Sequence, residues 1–344
     1  MKHRFYHIFI TCFLIFGCSH NKDYPPVIPP EYNHYPDMYF RIDTTLTKKM
    51  DSSSSLLGCG YDCKFSLIKG NDYIRNRIID VKRLLNGEGY DYIKHLSMSF
   101  PLLEINKAIL HQSGYSHSLI SATLDKHVKD LMEISGVKTS IGNIQLKLFR
   151  TVTNSFNNKS TGNIFFTYEY FRPTCILTLP EVYPEYLCYF LSDSFIKDLY
   201  SKSADDIVRI YGTHVLTDIT LGGWISVSAI AKLSSKGDEK EMVKSMNLYY
   251  NHFYNSSYSA NGNRYFPNCD SIICNIHMTG GNQSDIEIKD NQIVGFQKWL
   301  QNINLNNEQI VDIGSIKKIL LLSDFIMDVS KKKEIEDAII RYCN

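Results

Sequence analysis

Few side chains in this sequence could carry covalent chemistry. His214 is the most conspicuous, set in Tyr211-Gly212-Thr213-His214-Val215 and followed, after six residues, by Gly222-Gly223. An imidazole can serve as a general base, but it then needs a nucleophile or a carboxylate held beside it, and the sequence singles out neither. His-Glu-x-x-His, Gly-x-Ser-x-Gly, a Walker A loop and a Rossmann glycine run are all absent from it. The chain therefore reads as a non-enzyme. The nine cysteines include no Cys-x-x-Cys pair and no histidine at ligand spacing, which argues against zinc. Cys59 with Cys63, and Cys269 with Cys274, lie close enough in sequence for local disulfides in an oxidising compartment. Neither a metal nor an organic cofactor is expected.

Cys18 suggests a different chemistry. A short basic start, Met1-Lys2-His3-Arg4, precedes an apolar run from Phe5 to Phe16 that is too short to span a bilayer. Ile15-Phe16-Gly17-Cys18 resembles a bacterial lipobox, so residues 1–17 read as a lipoprotein signal peptide and Cys18 as the lipid attachment site. Several acyl chains anchor stably, because each buried CH₂ contributes ~0.8 kcal/mol. Residues 18–55 read as a Pro/Ser-rich tether. Tyr24-Pro25-Pro26-Val27-Ile28-Pro29-Pro30 favours extended polyproline geometry, and Asp51 to Ser55 is a polar spacer. The formal charge of +1 lacks the basic excess of a nucleic-acid binder. The 23 Tyr and 18 Phe point to a strand-rich domain.

The elements that would hold His214 follow from local pattern. Ser203-Ala204-Asp205-Asp206 is a capping-box-like helix start, and Gly212 is a natural terminator of that helix. Residues 144–150 alternate as a half-buried strand, and Ile164 to Leu179 reads as a longer one, with an edge, bulge or bend at Pro173. A strand interrupted by Gly222-Gly223 resumes through Leu233, and Ile272 to Met278 is another, ended by Thr279-Gly280-Gly281. Residues 74–85 fit a helix or a strand. Ser118 can cap a helix with Ile120, Leu124, Val128 and Leu131 on one face, and Ser330 can cap a C-terminal helix striped by Ile335, Ala338, Ile339 and Tyr342.

Together these residues resemble the signature of the membrane-attack complex/perforin (MACPF) family: Tyr211, Gly212, Thr213 and His214, then Gly222 and Gly223. Val215 stands where an aromatic residue is usual. Leu57-Gly58-Cys59-Gly60-Tyr61-Asp62 looks like the family's N-terminal Leu-Gly-x-Gly-Tyr-Asp, and Gly280-Gly281 sits where a later Gly-Gly is common. With the lipobox, the chain is similar to MACPF lipoproteins of gut commensals, including secreted antimicrobial proteins of the Bacteroidales type. The resemblance covers residues 56–344. It implies an α+β, MACPF/CDC-like fold: a bent four-stranded antiparallel sheet, with strands near 144–151, 163–179, 221–233 and 271–279, flanked by two helical clusters. Those clusters, mapped to 152–162 and 234–270, would unfurl into membrane-spanning hairpins on oligomerisation.

A membrane hairpin needs strands of about 9–11 residues with alternating polarity. Met246, Leu248, Tyr250, Tyr254 and Tyr258, with His252 and Ser256 as breaks, supply one lipid-compatible face in the second cluster. The other reading of these residues is a Tyr-rich helix packed on the sheet. The first cluster is too short for two membrane strands. The expectation is thus a homo-oligomeric pore former acting on a target membrane, through lipid or an outer-membrane receptor, and antibacterial in role. It would be an outer-membrane lipoprotein, on the cell surface or secreted. The alternative is a non-lytic MACPF-fold adhesin or binding module, for which the short first cluster is the main support.

Overall fold

The computed structural model describes residues 36–44, 53–62, 70–86, 104–110, 114–134, 162–179, 184–234, 238–255, 265–266, 268–313 and 320–343. The described residues begin with β1 (Asp37–Thr44), β2 (Cys59–Tyr61), β3 (Ile74–Arg77) and α1 (Val81–Leu85). β4 (Asn106–Ile109), β5 (Tyr115–Ser121) and α2 (Leu124–Ile134) precede the long β6 (Asn163–Thr178). Three helices, α3 (Pro184–Leu187), α4 (Asp193–Ser201) and α5 (Ala204–Tyr211), lead into β7 (His214–Val215) and the long β8 (Asp218–Leu233). Then come α6 (Glu239–Asn255), β9 (Cys269–Thr279) and the hairpin of β10 (Glu287–Lys289) and β11 (Gln292–Val294). α7 (Phe296–Gln301), β12 (Gln309–Ile313), β13 (Leu320–Leu321) and α8 (Val329–Cys343) complete it.

The main sheet runs β1-β9-β8-β6, with β4 and β5 sharing the outer edge of β6, and β12 sharing β8 with β9. β5, β6, β8 and β9 alternate antiparallel, which gives the four expected sheet positions. The strands expected at 163–179, 221–233 and 271–279 are β6, β8 and β9. The fourth is different. A strand has two edges; β8 holds one edge of β6, while β5 and β4 occupy the other from Phe165 to Phe171 and from Cys175 to Thr178. Residues 144–151 lie outside the described residues. Among the described residues the fourth alternating strand is Tyr115–Ser121, so Ser118 is a strand residue and not a helix cap. Thr123 takes the cap role for α2, its Oγ1 accepting from Lys126 N–H at 3.4 Å.

The tether assignment of residues 18–55 also needs correction, because Asp37–Thr44 is β1. It pairs parallel to β9, from Asp37 opposite Ser271 to Thr44 opposite Met278. Met38, Phe40 and Ile42 pack on the apolar face of the sheet while Tyr39 and Arg41 stay exposed, the two-residue period of a half-buried strand. Residues 74–85 resolve into both alternatives, strand β3 and then helix α1. Asp328, not Ser330, caps α8, accepting the N–H groups of Ser330 and Lys331 at 2.9 and 3.0 Å.

Two separate cores share β6 and β8. One lies where Cys175, Leu177, Ile219 and Leu221 meet α4, α5 and α8. The other lies where Ile164 to Tyr170 and Ile225 to Ala231 meet α6 and α7. Between them, Pro173 pairs with Gly222 and Cys175 with Leu221, leaving Thr174 as a bulge. One extra residue reverses the face of every side chain beyond it. The apolar set on β6 accordingly changes from Ile164, Phe166, Tyr168 and Tyr170 to Cys175 and Leu177. Thr174 is held by its own hydroxyl, 3.1 Å from Leu221 O and 2.5 Å from Glu308 Oε2.

Candidate functional site: the signature junction, the break line and the second segment

The two signature segments, more than 140 residues apart in sequence, meet as neighbouring strands: Gly60 pairs with Val215 and Tyr61 with His214. Helix α5 delivers the second segment. Ser203 Oγ accepts from Asp206 N–H at 3.2 Å to start it, and Gly212 ends it with its N–H on Val208 O at 2.8 Å. The contact requires glycine, because a Cβ at Gly60 would sit 1.6 Å from Tyr211 O. Thr213 donates its N–H to Tyr61 O at 3.0 Å and its hydroxyl to the same oxygen at 3.3 Å. The Thr213 oxygen then accepts from His214 Nδ1 at 2.8 Å. His214 is buried, and burial pushes its pKa down to about 4, so the imidazole is neutral at physiological pH. The charge that acts on it, in the opposite direction, is Asp62, the last residue of the first segment. Asp62 is itself buried and bound to Arg75 Nη2 at 2.8 Å and Tyr342 Oη at 2.7 Å. This junction thereby ties α8 to the signature strands.

Gly222 and Gly223 lie elsewhere, on a line of irregularities that crosses the sheet. β8 changes neighbours there, from β12 opposite Ile219 to Gly222 to β9 opposite Trp224 onward. The Thr174 bulge is beside it on β6, and the gap between β4 and β5 continues the line. Backbones approach closely at this point: a Cβ on Gly222 would lie 2.1 Å from Arg172 O, and one on Gly280 2.1 Å from Gly222 O. Trp299 of α7 closes the site. Its indole N–H donates to Gly280 O at 3.1 Å, and its fully buried ring lies beside Gly223 and Gly281. Nothing in the sequence pointed to Trp299, since an isolated tryptophan has no pattern.

In the second segment Met246, Leu248, Tyr250 and Tyr254 belong to α6, and the helix does not bring them to one face. Met246 and Tyr250 are buried, Leu248 is half-buried and Tyr254 is exposed; Tyr258 lies outside the described residues. The buried face is Met242, Met246, Tyr249, Tyr250 and Phe253, the spacing of an amphipathic helix. Tyr250 stacks on Tyr168 at 4.9 Å and 15°, with its hydroxyl 3.4 Å from Val227 O. Tyr249 reaches Asn291 O at 3.1 Å. On the opposite face of the sheet α2 places His127, whose Nε2 is 3.0 Å from Thr167 Oγ1; burial pushes its pKa down to about 4.

Cys18, Cys63 and residues 152–161 lie outside the described residues. Of the described cysteines, all buried, Cys59, Cys175, Cys269 and Cys274 are free thiols. Cys269 and Cys274 stand at opposite ends of an extended run, roughly 16 Å apart at the rise of a strand, beyond the about 7 Å a disulfide can bridge. Burial pushes both thiols up to about 12.

No family profile and no curated protein matches the sequence. Solved structures do match. One is a protein with a MAC/Perforin domain from Bacteroides thetaiotaomicron VPI-5482, at 17 % identity and a TM-score of 0.65, covering 90 % of this chain and 63 % of that one. Another is GNIP1Aa from Chromobacterium piscinae, at 15 % identity and a TM-score of 0.59, covering 85 % and 56 %. The chain thus spans less than two thirds of the length of either. With its alternating four-strand sheet, its glycine-lined break and its paired signature segments, the chain has the fold of the membrane-attack complex/perforin domain.

Proposed function

We propose that this protein is an exported, membrane-anchored pore former that assembles with copies of itself on a target membrane and inserts β-hairpins there. The observation that carries the reading is the pairing of β5 with β6. It makes residues 122–162 the connection between the first two sheet strands, far longer than the about 20 residues that two spanning strands need. The second connection, residues 234–268, is of comparable length and holds α6. Both connections therefore have enough chain for a hairpin, and the argument from a short first cluster at 152–162 no longer favours a non-lytic binding module. In α6 the same residues fit two structures. Read with helical spacing, they bury Met246, Tyr249, Tyr250 and Phe253; read with strand alternation, they set Met246, Leu248, Tyr250 and Tyr254, broken by His252, against a mostly polar set of Asn247, Tyr249, Asn251, Phe253 and Asn255.

Lipid on Cys18 would anchor the chain to an outer membrane or a cell surface, and the target would be a competing bacterium. No enzymatic step and no nucleic acid enters this mechanism. The test is dye release from vesicles of phosphatidylethanolamine, phosphatidylglycerol and lipopolysaccharide, with electron microscopy of the treated membranes. Release together with rings supports the proposal. Neither release nor rings on target-cell membranes overturns it.

A further inference from the structure

We propose that Glu308 is a proton-operated fastening across the break line: protonated, it completes a bridge from β12 through Thr174 of β6 to Leu221 of β8; ionised, it draws Thr174 away from β8. The contacts around Thr174 are one proton short. Its hydroxyl lies 3.1 Å from Leu221 O and 2.5 Å from Glu308 Oε2, and an ionised carboxyl makes both of those oxygens acceptors. A hydroxyl carries a single proton and cannot donate to both. With the carboxyl protonated, Glu308 donates to Thr174 Oγ1, Thr174 donates to Leu221 O, and both contacts are hydrogen bonds. Once the carboxyl gives its proton to water, the Thr174 proton turns to the carboxylate and Leu221 O loses that donor. One proton thus decides whether the bulge residue holds β8 and β12 together or β12 alone.

The carrier of this carboxyl is itself fixed. Glu308 stands one residue before β12, and the start of that strand is held from two sides. Gln309 Oε1 accepts from Thr279 Oγ1 at 2.8 Å, and Ile310 N–H donates to Asn71 Oδ1 at 3.1 Å. Gln309 and Ile310 pair with Gly222 and Leu221, so the fastening sits against the glycine that interrupts β8. Glu308 is half-buried, and burial pushes its pKa above the usual 4.5; the Thr174 hydrogen bond and the charge of Lys107 on β4 pull the other way. Among the described residues the other titratable group that feels Glu308 is the Cys175 thiol, next to Thr174 on β6. The folded chain therefore keeps this proton to a higher pH than the unfolded chain does. The bridge to β8 is complete below 4.5 and is lost as pH rises through the raised folded value. For the pore former proposed above, on which this last step rests, the break line is held in acid and eased near neutrality.

Hydrogen exchange tests the fastening on the soluble chain, without a membrane. At pH 7.5 the amides of residues 219–223 should exchange about two- to tenfold faster in wild type than in Glu308→Gln, whose side-chain amide can donate to Thr174 at every pH. At pH 4.5 the two proteins should agree. Thr174→Val, which cannot pass a hydrogen bond on to Leu221 O, should show the faster exchange at both pH values. Amides of α5, far from the break line, should not distinguish the variants. Dye release from the vesicles above should follow the same order, with wild type about two- to tenfold faster than Glu308→Gln at pH 7.5 and equal to it at pH 4.5. Equal exchange in wild type and Glu308→Gln at pH 7.5 overturns the fastening, and so does a difference that persists at pH 4.5 or appears equally in α5. The expected exchange without the matching order of release overturns its link to assembly. Wild type that releases no dye at either pH overturns the proposed function, and the exchange result still decides the fastening.

Discussion

Mild acid should weaken the fold through two buried imidazoles, and the size of the effect follows from their surroundings. His127 and His214 are both buried, and both titrate at about 4, against 6.5 for an unperturbed histidine. Above pH 6.5 neither the folded nor the unfolded chain protonates them, so stability is flat there. Between 6.5 and 4 the unfolded chain takes up protons that the folded chain refuses, and stability falls as pH falls. Below 4 both states are protonated and the loss levels off. From pH 7.5 to pH 5 each imidazole should remove about 2 kcal/mol, and at the acid limit about 3 kcal/mol. Carboxylates titrate in the same range, so the readout is a difference. Urea unfolding at both pH values should show that His127→Gln and His214→Gln each lose about 2 kcal/mol less than wild type on acidification. A variant that loses as much as wild type would refute the claim that its imidazole is held neutral by burial.

Three further outcomes follow from the contacts. Gly280→Ala should cost about 2–5 kcal/mol by urea unfolding, because its Cβ would meet Gly222 O at 2.1 Å with φ at 69° and that oxygen belongs to the backbone; a loss under 1 kcal/mol would mean the break line has slack. Trp299→Phe keeps an aromatic ring but removes the fused pyrrole, leaving a buried cavity and Gly280 O without its indole donor, so a loss of about 2–5 kcal/mol is expected from the same measurement. Tyr342→Phe removes one hydrogen bond from buried Asp62 and should cost about 1–2 kcal/mol; in Asp62→Ala that same Tyr342→Phe change should cost much less, and equal costs in a double-mutant cycle would show that the two are not coupled.

What could be read from the sequence depended on whether one local signal dominated. β6 and β8 were legible because long β-branched and aromatic runs have no helical alternative there, and Gly222-Gly223 marks a break that only glycine permits. The signature segments were legible for a related reason: Gly60 and Gly212 are fixed by close backbone contact, so their spacing survives as a pattern. β5 was missed because Ile120 also begins a helical series with Leu124, Val128 and Leu131; the strand gives way to α2 within that series, and Tyr115-Ser116-His117-Ser118 is too polar to announce a strand. β1 carried the right alternation in Met38, Phe40 and Ile42, but the prolines before it and the serines after it set the context. In α6 both periods are present in the same residues, and packing against Tyr168 and Val227, which no single-segment reading contains, selects the helix. Trp299 and His127 owe their places to residues far away in sequence and left no local trace.

The two sixteen-residue strands that run through both cores have a mechanical meaning. Each is a strut about 50 Å long, clamped at one end by α4, α5 and α8 and at the other by α6 and α7. Between the clamps lies one compliant joint, where Thr174 is extra, Gly222 has no side chain and the neighbouring strand changes. A load applied at the α6 end would reach the signature junction through these struts without dissipating in loops, and any rotation would concentrate at the joint. Trp299, wedged there by a single hydrogen bond and its ring, is the pin whose withdrawal would set that rotation free.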